Sequence, residues 1–243
     1  MSEQLTYPSA TAEDGYSQRA GVSQTWADII AANGTQASDG DTGFSMILQA
    51  HATTDRWQTL RRGLFMFDVS PLPPGAIVSG ANVSFYPNSV TAEVFSSSFA
   101  IAAGDSASAT GVVAGDYQLN AQPTEYSDSR VLLSNIVATT RFSFDLNAVG
   151  YAALQAAYDA SEVFKTSLLF DWDLDAASPT WAGSSVKDDI TIMCYEDGAP
   201  KLPTLTITFR VGRGYATIEL TGTLAGGGAD TVTADIWAVE VFT

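Results

Sequence analysis

Apolar and polar residues alternate with a period of two over much of the chain. The clearest example is 204–211, where Leu, Ile, Phe and Val occupy every second position and Thr or Arg lies between them. The same alternation occurs in 77–85, 142–146, 168–174 and 190–194. Because successive residues of a strand lie on opposite faces of its sheet, these runs predict strands that each bury one face.

The run 77–85 predicts which residues reach the core. Ile77, Ala81, Val83 and Phe85 share one parity within this run. We therefore expect these four residues to lie on the same buried face.

Two short helices interrupt the strands. Thr25 is a helix cap with Asp28 three residues on, and Asn33-Gly34 predicts a left-handed stop. The second helix is predicted over 148–160, with Asn147 as its cap. Its apolar residues recur on one stripe, which consists of Tyr151, Leu154 and Tyr158.

Many short strands and few helices predict an all-β chain folded as a jelly-roll β-sandwich. Charged residues make up only 16% of the 243 residues, which suits strands with neutral outer faces better than long surface helices. We place the sandwich at 1–211 and a C-terminal β-hairpin extension at 212–243. In that extension, two strands over 215–224 and 231–242 flank the sequence AGGGAD. An isolated hairpin is marginally stable, so we expect it to pair with the main sheet or with another chain.

The acidic composition limits the classes of partner. Eleven basic residues against 27 acidic ones give a net charge of −16, which repels nucleic acid and anionic membranes. The first residues contain no basic and apolar signal sequence, and no apolar run approaches the length of a membrane span. We therefore expect synthesis in a cytoplasm and no export by the ordinary secretory route.

The sequence predicts no catalytic residue, no cofactor-binding residue and no metal ligand. A Ser-His-Asp triad would need His51, the only histidine, but no G-x-S-x-G turn supplies a serine. We interpret His51 as a polar residue at a strand end. Cys194, the only cysteine, shares a face with Ile190 and Ile192 and is predicted to be a buried apolar residue. One histidine and one cysteine also exclude an ordinary zinc site. We thus expect no enzyme, although two carboxylates in a cleft would make a polysaccharide hydrolase the alternative.

Calcium is the one cofactor that the sequence leaves open. The loop 39-DGDTG-43 combines two carboxylates with glycines, as a hard-cation site requires, and 171-DWDLD-175 has three aspartates at alternating positions. The second segment fails the EF-hand pattern. If 168–174 is a strand, its aspartates lie opposite Trp172 and Leu174, which indicates a solvated face.

Aromatic residues in loop-like contexts could bind sugars or anchor an interface. Trp57, Trp181 and Tyr126 have this character. Core packing explains Trp172 and Trp26.

The segment 61-RRGLFMFDVSPLPPGAIVSGANVSFY-86 resembles the DNRLRE-type jelly-roll module of phage structural proteins and bacterial surface proteins. The matching residues are Arg61 or Arg62, Leu64, Phe67, Asp68, Ser70, Leu72, Pro73, Gly75, Ala76, Ile77 and Ala81. Later segments resemble the module's strand and short helix, its next strand and its closing strand, so the similarity runs from about 12 to 209. The chain has 58-QTLRRG-63 where the module has Asn before the Arg.

This resemblance implies a binding or structural role, by adhesion to polysaccharide or assembly into a surface structure. Together with the charge and the missing signal, it leads us to expect a non-enzymatic phage virion protein, a capsid decoration or cement protein on the outer surface. The alternative is a tail or baseplate accessory protein that binds host glycans. The expected partners are a major capsid or tail protein and further copies of the chain, and a trimer would suit a decoration protein.

Within the same segment, the arginine pair and the proline-rich turn have structural interpretations. SPLPPG separates two consecutive core strands, and Asp68 and Ser70 stabilise the turn. Arg61 and Arg62 lie on opposite faces of a strand end, where one of them is expected to pair with a loop carboxylate.

Overall fold

The computed structural model describes residues 3–8, 14–92, 94–108, 111–194, 201–211, 215–223 and 229–237. Strands make up 43% of the chain and helices 16%, so the predicted all-β class is confirmed. The strands are β1 (Glu3–Pro8), β2 (Asp14–Arg19), β3 (Gln36–Ser38), β4 (Gly43–Ala50), β5 (Trp57–Phe67), β6 (Ala76–Phe85), β7 (Pro87–Ala92), β8 (Ser98–Ala103), β9 (Val131–Leu132), β10 (Phe142–Asp145), β11 (Phe164–Phe170), β12 (Lys187–Met193), β13 (Thr204–Val211), β14 (Tyr215–Thr223) and β15 (Ala229–Trp237). The helices are α1 (Trp26–Ala31), α2 (Asp116–Leu119), α3 (Ala148–Ala160) and α4 (Asp171–Leu174).

Two antiparallel sheets form the body of the molecule. The smaller sheet has the order β1-β13-β6-β10, and the larger one runs β7-β12-β4-β5-β11-β8-β9. In the larger sheet Leu60 pairs with both β4 and β2, and Gly63 with both β2 and β11. β4 and β11 therefore pair with the same edge of β5, while β2 pairs with the other edge and also with β3.

Aromatic residues join the two sheets into one core. Phe65 of β5 packs against Phe85 of β6, with ring centroids 4.7 Å apart. Phe85 in turn contacts Phe142 and Phe144 of β10. These contacts bring the inner faces of both sheets together, so the body is a jelly-roll-like β-sandwich.

Both predicted helices are present, but the first ends differently from the prediction. Thr25 accepts a hydrogen bond from the Asp28 amide, as the capping pattern predicts. The helix ends at Ala31 and is followed by Ala32 in an extended conformation. The predicted left-handed stop at Asn33-Gly34 is therefore wrong. Gly34 is instead required by close packing, because a Cβ there would lie 2.1 Å from the carbonyl oxygen of Ala114.

The second helix agrees with the prediction. α3 spans Ala148–Ala160, and the Asn147 side chain accepts hydrogen bonds from the amides of Val149 and Gly150. Leu154 is fully buried, while Tyr151 and Tyr158 pack against the core from either side of it.

A β-bulge changes which residues of β6 are buried. Thr208 of β13 pairs with Gly80 and Phe209 pairs with Val78, so Ser79 is an extra residue. An extra residue reverses the alternation of faces along the strand. Ala81, Val83 and Phe85 are buried as predicted, but Ile77 is 43% exposed and its neighbour Ala76 takes the inner position.

The predicted strand over 168–174 is wrong in its second half. β11 ends at Phe170, and Asp171–Leu174 forms the single-turn helix α4. A helical turn distributes residues around its axis rather than on two faces, so Asp173 is fully buried instead of facing solvent.

The SPLPPG turn joins β5 of the larger sheet to β6 of the smaller one. Within it, Asp68 accepts a hydrogen bond of 2.9 Å from the Ser70 backbone amide, which confirms the predicted turn-stabilising role for the Asp68 side chain. Gly75 ends the turn with φ of +76°, a conformation that favours glycine. The prolines thus mark the point where the chain crosses from one sheet of the sandwich to the other.

Candidate functional site

The arginine pair lies in the middle of β5 (Trp57–Phe67), so its predicted position at a strand end was wrong, and both side chains are engaged in internal contacts. Arg62 is fully buried, and its Nε and Nη2 bind the two oxygens of Asp173, each at 2.7 Å. Its remaining donors reach the carbonyl oxygens of Ile30, at 2.9 Å, and Tyr117. The guanidinium also lies over the Tyr117 ring, 4.0 Å from its centroid. One arginine of the pair therefore binds a carboxylate, as expected, although Asp173 lies in helix α4 and not in a loop.

Electrostatics keeps the buried Arg62 guanidinium charged. Burial alone would lower the pKa of Arg62, but the Asp173 carboxylate and its hydrogen bonds raise it above the usual arginine value. Burial raises the pKa of the neighbouring Tyr117 hydroxyl, which donates to the Ile29 carbonyl at 2.8 Å. Arg62 thus connects β5 to α1, α2 and α4 through one charged group.

Arg61 lies on the opposite face and is also occupied. Its Nε and Nη2 donate to the Gln18 side-chain oxygen at 2.9 and 2.8 Å, and its Nη1 donates to the Ser45 carbonyl at 2.7 Å. Its guanidinium lies 3.7 Å from the centroid of the Tyr16 ring. Burial lowers the pKa of Arg61. Both arginines are thus bound within the fold rather than presented to an external anion.

Further buried aspartates hold loops in place, and sequence reasoning missed them. The Asp188 carboxylate accepts hydrogen bonds from the amides of Val94, Phe95 and Ser97. Asp116 likewise accepts from Ala107 and Val113 at 2.9 and 2.8 Å. For Asp188 local patterns give no signal, because its partners lie more than 90 residues away in sequence. Asp116 instead binds amides 3 and 9 residues before it, in a loop that the strand and helix patterns did not resolve.

His51 lies at the end of β4, as predicted. Its Nδ1 accepts a hydrogen bond of 3.0 Å from the Thr53 amide and lies 3.3 Å from the Ser23 hydroxyl. Because the Nδ1 lone pair is engaged by a backbone amide, the ring supports the turn that follows β4. Cys194 is 1% exposed and packs in the core, which confirms the prediction for it.

One cluster of carboxylates lies at the surface around Arg130. Arg130 binds Glu125 at 2.9 Å and Asp175 at 2.5 Å. Hydrogen bonding to Arg130 lowers the pKa of Asp175. Burial raises the pKa of the nearby Asp171, although its Oδ1 accepts from the amides of Ser98 and Trp172 at 3.0 Å each. These charged groups therefore bind one another and the nearby backbone, and so hold neighbouring loops together.

A shallow groove of about 650 Å³ lies elsewhere, between the SPLPPG turn and α3. Gly75, Ala76, Ile77, Gln155, Tyr158, Asp159 and Ser161 line it. Asp159 is the single carboxylate among the described residues that line the groove, so those residues do not supply the acid pair that glycoside hydrolysis requires. The Gln155 side-chain oxygen accepts a hydrogen bond from the Val78 amide, and the Tyr158 hydroxyl donates one to the Pro73 carbonyl.

Neither candidate calcium segment forms a cluster of ligands within the part of the chain that the structure describes. Asp39 uses Oδ2 to accept from the Val112 amide at 3.1 Å. In the second segment, Asp173 binds Arg62 and Asp175 binds Arg130. In addition, none of the helices in the described ranges is long and apolar enough to span a bilayer.

The aromatic residues considered for sugar binding differ in exposure. Trp57 is only 1% exposed and packs edge-on against Trp26 and Phe95, so its predicted loop position was wrong. Trp181 is partly buried and donates to the His51 carbonyl at 3.2 Å. Tyr126 stacks on Phe164 and is partly buried. Trp26 is a core residue, as predicted, and Trp172 packs against the core.

The C-terminal hairpin forms a sheet of its own. β14 and β15 pair antiparallel over nine residues each, from Tyr215 opposite Trp237 to Thr223 opposite Ala229. Within the described residues, neither strand pairs with the two main sheets. The predicted ends of this hairpin, at 224 and 238–242, and most of its turn lie outside the described residues.

The register sorts the hairpin residues into two unlike faces, because directly opposed residues share a face. One face carries only apolar residues over three successive pairs, which are Ala216 with Ile236, Ile218 with Ala234, and Leu220 with Val232. The other face carries the polar pairs Thr217 with Asp235, Glu219 with Thr233, and Thr221 with Thr231, and at its ends the pairs Tyr215 with Trp237 and Thr223 with Ala229. Within the described residues the hairpin thus adds a two-stranded sheet that pairs with no strand of the sandwich. We therefore regard it as the candidate functional site.

Comparison with known proteins finds no family model that matches the chain and no curated protein that matches it.

Proposed function

We propose that this chain is a non-enzymatic phage virion structural protein that decorates or cements the outer surface of a capsid. The C-terminal hairpin is the observation that supports this function most directly. Nine residue pairs form a sheet that, within the described residues, adds no strand to the sandwich, although an isolated hairpin contributes little stability by itself. Such an element is suited to attach the body to a second protein surface.

The body is suited to a structural role. The charged side chains that its fold brings together, in the Arg62 and Arg130 clusters, are bound to each other and to backbone groups. The resemblance of 61–86 to the DNRLRE-type module supports the same class of protein.

The net charge of −16 restricts the surface that can receive this protein. An acidic protein is repelled by other acidic surfaces, so the capsid site would be basic or apolar. The same charge keeps the free protein soluble at the high concentration that a component made in many copies reaches. We accordingly place the protein on the virion surface after synthesis in the host cytoplasm, where it contacts the major capsid protein and further copies of itself.

Mass spectrometry of purified virions tests this function. We expect the chain to be present in virions in many copies, and to be enriched in capsid fractions over tail fractions after the particles are dissociated. Its absence from purified virions would refute the proposal. Enrichment in the tail fraction, together with a positive glycan array, would instead favour the tail accessory protein.

A further inference from the structure

We propose that Asn33 is a site of spontaneous deamidation and that the Arg19 guanidinium promotes the reaction. The dipeptide Asn33-Gly34 lies in the short connection between α1 and β3. The inference concerns a covalent change in the chain itself, so it goes beyond the proposed role in virions and does not depend on it.

The Asn33 side chain is accessible and unrestrained. It is exposed, and within the described ranges its amide group takes part in no hydrogen bond. The side-chain amides of Asn82, Asn120 and Asn147 instead donate to protein oxygens, over distances of 2.6 to 3.2 Å. Among the asparagines of the chain, Asn33 alone precedes a glycine. Because glycine has no Cβ, the Gly34 nitrogen can approach the neighbouring side chain with little steric hindrance.

The peptide unit between Asn33 and Gly34 is polarised by a cation. Arg19 donates from Nη1 to the Asn33 carbonyl oxygen at 3.2 Å, and its Nε donates to the Gln24 side-chain oxygen at 2.9 Å. The Gly34 amide has no acceptor among the described residues, whereas the Thr35 amide donates to a carbonyl at 2.8 Å.

This arrangement favours loss of the Gly34 amide proton. The carbonyl oxygen and the nitrogen of one peptide unit are conjugated, so removal of the proton places negative charge on the Asn33 carbonyl oxygen. The Arg19 guanidinium already binds that oxygen and stabilises the charge. Arg19 therefore makes the Gly34 nitrogen a better nucleophile.

The reaction needs only water and hydroxide. Hydroxide removes the Gly34 amide proton, and the nitrogen attacks Cγ of Asn33 and forms a bond to it. The bond from Cγ to Nδ2 breaks, and Nδ2 takes up a proton from water and leaves as ammonia. Water then opens the resulting succinimide. Cleavage of the new bond at Cγ gives aspartate, and cleavage of the original peptide bond gives isoaspartate.

Isoaspartate would disturb the packing of the next residue. A Cβ on Gly34 would lie 2.1 Å from the Ala114 carbonyl oxygen and 2.8 Å from Cβ of Tyr117, so the Gly34 backbone lies directly against α2 and the residues before it. Isoaspartate adds a carbon atom to the main chain, so Gly34 cannot keep this position. We expect the modification to loosen the contact between the α1–β3 connection and α2.

Peptide mass spectrometry of the full chain, incubated folded at mildly alkaline pH, tests the site. Cleavage after aromatic residues isolates 27–44, in which Asn33 is the only asparagine. We expect this peptide to shift to the mass of the acid and to separate into two chromatographic forms. Asn88 is also exposed but precedes a serine, so it is the internal control and should react more slowly. Deamidation of Asn33 no faster than that of Asn88 would overturn the proposal.

An arginine substitution tests the part played by Arg19. Arg19→Gln should slow deamidation of Asn33 roughly fivefold, which is the effect of one moderate hydrogen bond on a rate. Arg210→Gln is the matched control, since it removes the same charge from an exposed position on β13 and should leave the rate unchanged. In urea that unfolds the chain, wild type and Arg19→Gln should react equally fast, because the contact is then lost. Equal rates in the folded proteins would refute the role of Arg19.

Discussion

Replacing Asp173 by alanine removes the carboxylate that binds the buried Arg62 guanidinium. The Asp173 side chain is 1% exposed and the Arg62 side chain 0%, so water cannot take over the lost interaction. Removing one partner of a buried pair costs about 3–5 kcal/mol, because the remaining charge is left uncompensated. For a chain of this size, that corresponds to a fall in melting temperature of roughly 6–20 °C.

Asp175→Ala is the matched control for this prediction. Asp175 is also an aspartate paired with an arginine, lies two residues away, and has a side chain that is 50% exposed. Exposed ion pairs contribute about 0–1 kcal/mol, so this variant should unfold close to wild type. The comparison separates burial from the loss of an ion pair as such.

Urea denaturation followed by tryptophan fluorescence measures both effects, since the sandwich contains Trp26 and Trp57 in its core. We expect a large shift of the midpoint for Asp173→Ala and a small one for Asp175→Ala. Arg62→Met combined with Asp173→Ala should be less destabilised than the sum of the single variants, although the Ile30 and Tyr117 carbonyls then lose their donor. Equal midpoints for the two alanine variants would refute the view that the buried pair holds the helices to β5.

Three further predictions concern other contacts within the sandwich. Gly34→Ala should destabilise the protein by about 1–3 kcal/mol, because its Cβ would overlap a backbone carbonyl, whereas Gly40→Ala, which has open space around it, should change little in the same urea assay. Burial raises the pKa of Asp171 in the folded state above 3.8, so the wild-type protein loses stability as the pH rises from the unfolded-state pKa to the folded-state pKa. Asp171→Asn does not titrate, so it should gain stability relative to wild type between about pH 3 and pH 7. A stability difference that stays constant over this range would contradict the prediction. Asp188→Ala leaves three backbone amides without their acceptor and should speed hydrogen exchange at 94–97 by about tenfold or more, measured by mass spectrometry, while exchange in β13 stays unchanged.

The sequence by itself determined the strands whose environment is uniform along their length. The alternation over 204–211 became β13 with its three inner residues buried, because a strand between two neighbours keeps one face toward the core throughout. Helix α3 and its Asn147 cap could likewise be predicted from the sequence, because capping and amphipathic periodicity depend only on residues close in sequence. The Asp68 turn is local for the same reason.

Tertiary structure decided the features that depend on residues far apart in the chain. Asp173 could not be assigned from the alternation in 168–174, because its burial depends on Arg62, which is 111 residues away in sequence. Ile77 became exposed through a bulge set by pairing with β13, and Trp57 became a core residue through Trp26 and Phe95. The two faces of the hairpin likewise required the register of β14 against β15, since a shift of one residue would have mixed apolar and polar positions. Local preferences therefore placed the elements, while long-range pairing and packing determined which side of each element meets the core or water.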